Sequence, residues 1–247
     1  MAAKIYGLVG KTLSHSFSKD FFNEKFQKEN LGDHIYKNFE LQDFDKEILD
    51  LKGNNSLQGF NITIPYKESI LPYLDTQSET CQKIKSCNCV KVENGKWQGY
   101  NTDVIGFQQS FEPHLKHYHR KALVIGSGGG AKAVCFVLDQ LGINFIQVSR
   151  SPGEAKNMIN YSDVNKDLLA EYKIVINTTP LGMFPHIEDC PPLPYNAISH
   201  QHYFFDLIYN PPLTKFLAEA QKQGAYIKNG AEMLRIQAEE SWRIWEN

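Results

Sequence analysis

The chain has 247 residues and a formal net charge of −2 at pH 7. This length can bury the core of one large domain or of two modest ones. The near-neutral charge excludes a general electrostatic attraction to nucleic acid or to an anionic membrane, so any anion binding must be local. The sequence has no apolar run of membrane-spanning length, no signal-peptide core near its first residue, and an odd number of cysteines, five. These features predict a cytoplasmic protein with reduced thiols.

The first hundred residues alternate strands and helices. The apolar periodicity predicts strands at 4–9, 36–40 and 60–64 and helices at 19–27, 44–51 and 66–74. Asn94-Gly95 then separates two short strands, 90–93 and 96–99, and this dipeptide is a strong hairpin signal. Because an antiparallel hairpin interrupts the alternating pattern, we expect a mixed sheet in this half.

Lys67 is the first candidate for chemistry. It follows Asn61 and Thr63, which alternate with isoleucines and therefore point to the same side of a strand. Pro65 ends that strand, and Lys67 falls in the first turn of the predicted helix 66–74. The positive end of a helix dipole disfavours a cation there. A lysine kept at this position predicts an acidic partner and a substrate nearby.

The strand–helix pattern restarts at residue 121. Residues 122–125 form a continuous apolar strand of the kind buried in parallel sheets. Further strands are predicted at 145–149, 173–177, 203–208 and 225–227, and helices are predicted after Asp103 and at 132–141 and 231–245. The His- and charge-rich segment 114–120 is a candidate domain boundary, and the first domain could cover the apolar stripe of the last helix. This pattern predicts two α/β domains joined by a hinge, with a cleft between them.

A glycine-rich segment lies between the strand 122–125 and the next helix. It satisfies the Gly-x-Gly-x-x-Gly/Ala fingerprint of dinucleotide-binding βαβ units. The first glycine allows a tight turn, the second lets the backbone approach a pyrophosphate, and the helix N-terminus offers unpaired N–H groups. A glycine-rich turn without a ligand is the alternative. The predicted cofactor residues are Gly126, Ser127, Gly128, Gly129, Gly130 and Ala131.

The end of the next strand distinguishes the two nicotinamide cofactors. An NAD site usually has an Asp or Glu there, which accepts a hydrogen bond from the ribose. This chain has Ser149, Arg150 and Ser151 instead. A guanidinium flanked by hydroxyls suits a phosphate, so NADP is favoured over NAD. The alternative is that Arg150 is an ordinary solvated surface residue.

Polar residues elsewhere suggest a second pocket. If the chain is extended after the first strand, Ser14, Ser16 and Ser18 share a face that suits a hydroxylated or carboxylated small molecule. The alternative is a helix cap at Ser18. Asp103 could be a capping carboxylate, but paired with Lys67 it would form a proton-handling couple beside an alcohol or ketone.

Eight segments resemble motifs of the shikimate dehydrogenase family and occur in the family's order over nearly the whole chain. They are 15–19, 61–67, 101–107, 126–130, 149–151, 177–183, 206–211 and 230–237. The resemblance implies an α/β fold of two domains, with the C-terminal helix returning to the first. Residues 1–102 and 231–247 would form a substrate domain with a mixed sheet, and residues 103–230 a Rossmann-like NADP-binding domain.

The resemblance also implies roles for single residues. Lys67 and Asp103 would form the catalytic couple, and Thr178, Gly230 and Met233 would lie by the cofactor. The substrate-binding residues would be Ser16, Ser18, Asn61, Thr63, Asn88, Tyr209 and Gln237.

The implied reaction is the reversible NADPH-dependent reduction of 3-dehydroshikimate to shikimate in chorismate and aromatic amino acid biosynthesis. A preference for quinate and a non-catalytic ligand-sensing module of the same fold are the alternatives. We expect a monomer or homodimer with a small-molecule substrate and no nucleic-acid or membrane partner. The histidines of the segment 114–120 could suggest a metal site, but a solvated hinge is the preferred interpretation, and no metal is expected.

Overall fold

The computed structural model describes residues 3–13, 17–152 and 157–247. The chain divides into two compact units. The first unit spans Met1–Thr102 together with Ala238–Asn247, and the second spans Asp103–Gln237. The candidate boundary segment 114–120 therefore lies inside the second unit. The family resemblance implies that the chain returns to the first domain at residue 231. In the structure it returns to the first unit at Ala238, within the last helix.

The first unit is built on a mixed six-stranded sheet. Its strands are β1 Lys4–Gly10, β2 His34–Glu40, β3 Leu57–Ile62, β4 Thr76–Gln77, β5 Cys89–Glu93 and β6 Lys96–Tyr100. The order is β2-β1-β3-β5-β6-β4, and only β5 runs antiparallel to its neighbours within this sheet. Asn94 and Gly95 join β5 to β6 with φ values of 52° and 74°, as a two-residue hairpin with a type I′ turn requires. The predicted mixed sheet and hairpin are confirmed.

Three α-helices accompany this sheet in the described part of the first unit, and the end of the last helix joins them. They are α1 Phe17–Lys28, α2 Phe44–Lys52 and α3 Glu79–Ile84, while the last helix of the chain spans Ala231–Glu246. Trp242 and Trp245 of this last helix pack in one buried cluster with Tyr6 and Phe22. The first unit thus covers Ala238, Trp242 and Trp245 of the predicted apolar stripe, whereas Leu234 of that stripe belongs to the second unit.

The predicted helix 66–74 is wrong. Residues 64–70 form hydrogen-bonded turns, and a short 3-10 helix follows at Leu71–Tyr73. Pro72 has no N–H group and disfavours helical backbone at the residue before it, so it interrupts any α-helical ladder there. The strand predicted at 60–64 also ends earlier, at Ile62, and Thr63 follows it.

The second unit contains a parallel six-stranded sheet. Its strands are β7 Lys121–Ile125, β8 Asn144–Val148, β9 Met158–Ile159, β10 Ile174–Asn177, β11 Tyr203–Asp206 and β12 Tyr226–Lys228. The order β9-β8-β7-β10-β11-β12, with every pair parallel, is the strand order of a Rossmann fold. The chain reverses its direction of winding between β7 and β10, and ligands of such sheets bind at the carboxyl ends of the strands there.

Helices precede, connect and follow these strands. They are α4 Asp103–Phe111, α5 Gly129–Gln140, α6 Lys166–Glu171 and α7 Lys215–Lys222, and the last helix, α8 Ala231–Glu246, begins in this unit. The buried positions of the three central strands are apolar, as expected for a sheet covered on both faces, except for Asn177 and Asp206, which end β10 and β11. Within the described ranges, no helix is both long and apolar enough to cross a membrane.

Candidate active site

The glycine-rich loop has the geometry of a phosphate-binding turn. Gly126 follows β7 with a φ of 114°, and a Cβ atom there would lie 2.5 Å from Thr178 Oγ1. At Gly128 the space that a Cβ would occupy is open to 4 Å, so a ligand can approach the backbone. Helix α5 begins at Gly129 and presents its first N–H groups at this loop. These features fit a dinucleotide pyrophosphate.

Thr178 lies beside this loop at the point where the winding of the sheet reverses. Its backbone N–H and its hydroxyl both donate to the carbonyl of Ile125, over 2.9 Å and 2.7 Å. Leu207 N–H in turn donates to the carbonyl of Asn177, so the ends of β7, β10 and β11 form one continuous edge. The structure therefore places Thr178 next to the phosphate loop.

The residues predicted to select NADP follow β8. Ser149 N–H donates to the carbonyl of Ile159, and Ser151 N–H donates to Ser149 Oγ over 3.3 Å. The carbonyl of Arg150 accepts a hydrogen bond from Asn160 Nδ2, while its side chain is exposed. An exposed guanidinium beside two serine hydroxyls, at the strand next to the phosphate loop, fits a 2′-phosphate.

Two helices of the second unit pack closely at Gly106. A Cβ atom there would lie 2.7 Å from the carbonyl oxygen of Met233 and 3.1 Å from Gln237 Cβ. Asp103 is the first residue of α4, and its side chain is buried. This packing fixes the helix that carries Asp103 against the helix that carries Met233 and Gln237.

Gly230 and Tyr209 follow the last two strands of this sheet. Gly230 N–H donates to the carbonyl of Ile208 over 3.0 Å, and any Cβ at Gly230 would overlap the carbonyl of Leu207. Tyr209 is half-buried in the loop after β11. The second unit thus collects Thr178, Tyr209 and Gly230 at the carboxyl ends of its strands.

Lys67 lies in the turns of the first unit and is half-buried. Because these turns are not an α-helix, the helix-dipole argument for Lys67 does not apply. Its carbonyl accepts a hydrogen bond of 2.8 Å from Cys87 N–H, which ties this turn to the residue before Asn88. Thr63 is held in turn by its own N–H, which donates to the carbonyl of Val9.

A buried hydrogen-bond network connects predicted substrate residues in the first unit. Asn61 Nδ2 donates to the carbonyl of Asn88 over 3.2 Å and to Ser241 Oγ over 2.8 Å. Its Oδ1 accepts a hydrogen bond of 3.0 Å from the hydroxyl of Tyr36. Ser241 Oγ lies 3.2 Å from Thr102 Oγ1. Thr102 N–H donates to Asn88 Oδ1 over 2.6 Å, and Asn88 Nδ2 donates back to Thr102 Oγ1 over 3.0 Å.

Ser18 lies at the other end of this network. It is buried in the first turn of α1 and hydrogen-bonds to Tyr36. Burial raises the pKa of Tyr36 well above its usual range, so its hydroxyl stays protonated and can donate to Asn61. Because Ser18 is helical, the extended row of serines is wrong at this position. The predicted contacts of Ser16 lie outside the described residues.

Sequence patterns missed several members of these networks. Tyr36 and Ser241 carry no motif signal of their own, since each has an ordinary place in a strand or a helix. Thr102 lies within the motif segment 101–107, but no role was predicted for it. Asp206 was recognised only as part of a signature, without a role, although it is a buried carboxyl that three donors contact.

His114 and His119 have hydrogen-bond partners within the second unit. His114 Nδ1 lies 2.9 Å from the hydroxyl of Tyr226, and His119 accepts a hydrogen bond from Lys116 N–H. In the described part of the chain, no group of three or more His, Cys, Asp or Glu side chains is arranged to hold a metal.

Comparisons with known proteins agree with this geometry. The family model of the shikimate dehydrogenase substrate binding domain matches residues 8–90. The shikimate dehydrogenase (NADP(+)) of Caldicellulosiruptor bescii is 42% identical over 253 residues, which cover 96% of this chain and 88% of the relative. The crystal structure of shikimate dehydrogenase from Aquifex aeolicus has a TM-score of 0.88 at 31% identity and covers 98% of this chain and 92% of its own.

A further solved structure contains both ligands. It is shikimate 5-dehydrogenase from Thermus thermophilus in complex with NADP(H) and shikimate, with a TM-score of 0.84 at 26% identity and coverage of 98% of this chain and 93% of that one. Together with the relative that is 42% identical over nearly the full length, these matches show that the chain belongs to the shikimate dehydrogenase family.

Proposed function

We propose that the chain is an NADP-dependent shikimate dehydrogenase, which reversibly reduces 3-dehydroshikimate to shikimate in the chorismate route to aromatic amino acids. The observation that carries this function is the similarity to enzymes named shikimate dehydrogenase (NADP(+)) over nearly the full length of the chain. A quinate preference and a non-catalytic sensing role are not favoured, because neither explains this similarity.

The second unit supplies the cofactor site. Gly126 to Ala131 would hold the pyrophosphate, while Ser149, Arg150 and Ser151 would hold the 2′-phosphate. Thr178 would contact the cofactor beside the phosphate loop, and Gly230 and Met233 would lie by the nicotinamide. When bound, NADPH supplies the hydride that reduces a ketone. The open space at Gly128 and the exposed guanidinium of Arg150 support this assignment.

Lys67 and Asp103 would handle the proton. As a carbonyl is reduced, negative charge develops on its oxygen, and an ammonium group can stabilise that charge and donate a proton. We assign this role to Lys67. Asp103 would favour the charged form of Lys67 and hold its orientation.

Polar side chains predicted from the sequence would bind the substrate. Ser16 and Ser18 would hold its carboxylate, and Asn61, Thr63, Asn88, Tyr209 and Gln237 would face its hydroxyl groups. The network that links Ser18 to Asn88 supports this assignment for Ser18, Asn61 and Asn88, because it fixes these three side chains before a ligand arrives.

We also propose that the protein is cytoplasmic and is a monomer or homodimer. Sedimentation equilibrium of the purified chain tests the oligomeric state, and a mass above that of a dimer would contradict it.

Initial rates with shikimate and quinate, each against NADP⁺ and NAD⁺, test the function. We expect the highest kcat/KM for shikimate with NADP⁺. A higher kcat/KM for quinate would instead identify a quinate dehydrogenase, and no oxidation of either substrate would support a sensing module. Lys67→Ala, purified in the same way, controls for dehydrogenases of the expression host.

A further inference from the structure

Asp206 is a buried carboxyl group, and its hydrogen-bond donors among the described residues are all neutral. It is the last residue of β11 and is 0% exposed. Its Oδ1 accepts hydrogen bonds of 3.0 Å from Asn177 Nδ2 and from Ile208 N–H, and its Oδ2 accepts one of 2.6 Å from Thr214 Oγ1. A buried carboxyl without a cation is costly, so stability alone does not explain an Asp at this position.

Each donor belongs to a different segment at the carboxyl edge of the sheet. Asn177 ends β10, and its own Oδ1 accepts hydrogen bonds from the N–H and the hydroxyl of Thr179, over 3.1 Å and 2.7 Å. Thr214 caps α7 by accepting a hydrogen bond from Leu217 N–H. The carboxyl of Asp206 therefore joins the turn after β10, the loop after β11 and the start of α7.

Ile208 extends this connection to the last helix. Its N–H donates to Asp206, and its carbonyl accepts the hydrogen bond from Gly230 N–H. The segments held in this way contain Thr178, Tyr209 and Gly230, which we assign to cofactor and substrate. Thr178 follows Asn177 in the sequence, Tyr209 follows Ile208, and Gly230 itself donates to the carbonyl of Ile208.

We propose that Asp206 is a positioning residue, whose carboxyl group holds the loops after β10 and β11 in the arrangement that binds NADP(H). This inference rests on the proposed function of the second unit. Asp206 acts through Asn177, Ile208 and Thr214 and does not itself need to touch the cofactor.

Paired substitutions separate hydrogen-bond geometry from charge. Asp206→Ala removes the acceptors, whereas Asp206→Asn keeps Oδ1 for Asn177 and Ile208 and can donate its amide to Thr214. Thr214→Val removes the hydroxyl, and Thr214→Ser keeps it. For Asp206→Ala and Thr214→Val we expect the Kd for NADP⁺, measured by calorimetry without substrate, to rise about tenfold, because buried donors lose their acceptor. The Asn and Ser variants should restore the Kd to within about twofold of the wild type, because they keep these hydrogen bonds.

His202→Ala is the matched structural control. His202 is buried directly before β11, and its Nε2 lies 2.9 Å from the carbonyl oxygen of Leu169. It therefore stands at the amino end of the strand, whereas the phosphate loop lies at the carboxyl ends of the strands. It should lower Tm without changing the Kd for NADP⁺. The proposal is overturned if Thr214→Val lowers Tm in the same way and binds NADP⁺ like the wild type. If Asp206→Ala does not fold, the Thr214 pair decides.

The experiments distinguish a failure of the proposed role of Asp206 from a failure of the proposed function. If the wild type binds NADP⁺ but does not oxidise shikimate, the function fails and the Kd series still decides the role of Asp206. A wild-type chain that binds no NADP⁺ overturns both.

Discussion

Asn61 Nδ2 donates a hydrogen bond of 2.8 Å to Ser241 Oγ and so joins β3 to the C-terminal helix α8. The second N–H of the same amide donates to the carbonyl of Asn88, and Asn61 is only 4% exposed. Asn61 therefore orients the backbone at Asn88, whose side chain is fixed by Thr102. Its direct contact with substrate hydroxyls stays a prediction.

Ser241→Ala should weaken this network. It removes the acceptor of Asn61 and the neighbour of Thr102, and leaving a buried donor unpaired costs about 1–3 kcal/mol in the free energy of unfolding. We also expect the KM for shikimate to rise about threefold or more, while the KM for NADP⁺ stays the same, since a lost hydrogen bond of this kind weakens binding by such factors. Urea unfolding and steady-state kinetics measure the two effects.

Ser86→Ala is the control for this experiment. Ser86 is buried in the same unit, but its hydroxyl has no hydrogen-bond partner among the described residues. Its removal should leave stability and both KM values unchanged. Equal effects of the two substitutions would argue against a role of the network in substrate binding.

Much of the fold was predictable from hydrophobic periodicity. The buried strand β7, the helix α5 and the hairpin after β5 have strong local patterns, and all three are confirmed. Short elements such as β4, β9 and α3 were not predicted, because two to six residues carry too little periodicity to be recognised. The helix predicted at 66–74 is the opposite error, an element that the structure does not contain. The apolar spacing there is typical of a helix, but Pro72 interrupts the hydrogen bonds of an α-helix.

The site was predictable where function depends on adjacent residues. The phosphate loop is an example. Gly126 has a positive φ and Gly128 leaves open space beside the backbone, and a short sequence motif of glycines predicts both properties. The hydrogen bond between Asn61 and Ser241 joins residues 180 positions apart, and the one between Tyr36 and Asn61 spans 25. A single sequence contains no signal for such pairs, which only the folded sheet brings together.

Lys67→Ala tests the proposed proton donor. We expect kcat to fall by ~10²-fold or more, the range for loss of a general acid, with little change in the KM for shikimate. Lys83→Ala is the control, because Lys83 is exposed in α3 and forms an ion pair of 2.6 Å with Glu79, one turn away in the same helix. Near-normal kcat in a folded Lys67 variant would remove this lysine from the mechanism.

Arg150→Ala tests cofactor selection. Losing a charge-assisted contact with the 2′-phosphate should raise the KM for NADP⁺ about tenfold to a hundredfold, while the weaker activity with NAD⁺ stays the same. Arg120→Ala serves as the control, since Arg120 is an exposed arginine of the same unit that precedes β7. Parallel losses with NADP⁺ and NAD⁺ would show that Arg150 does not contact the 2′-phosphate.

The surroundings of Asp206 predict how stability depends on pH. Burial raises the pKa of Asp206 from 3.8 to about 7. The nearby titratable groups are the Cys190 thiol and the Tyr195 hydroxyl, with Lys215 and Glu219 acting on Cys190. These neighbours are the same in wild type and in Asp206→Asn, so the difference between the two chains isolates the carboxyl.

Between pH 4 and 7 the folded chain holds the proton of Asp206 more tightly than the unfolded chain does. The contribution of this carboxyl to the free energy of unfolding therefore falls as pH rises, by up to about 4 kcal/mol. Asp206→Asn does not titrate and should lack this fall, so relative to the wild type it should be more stable at pH 8 than at pH 5. Urea unfolding of both chains at the two pH values measures the difference. An identical pH dependence would show that Asp206 does not change its protonation in this range.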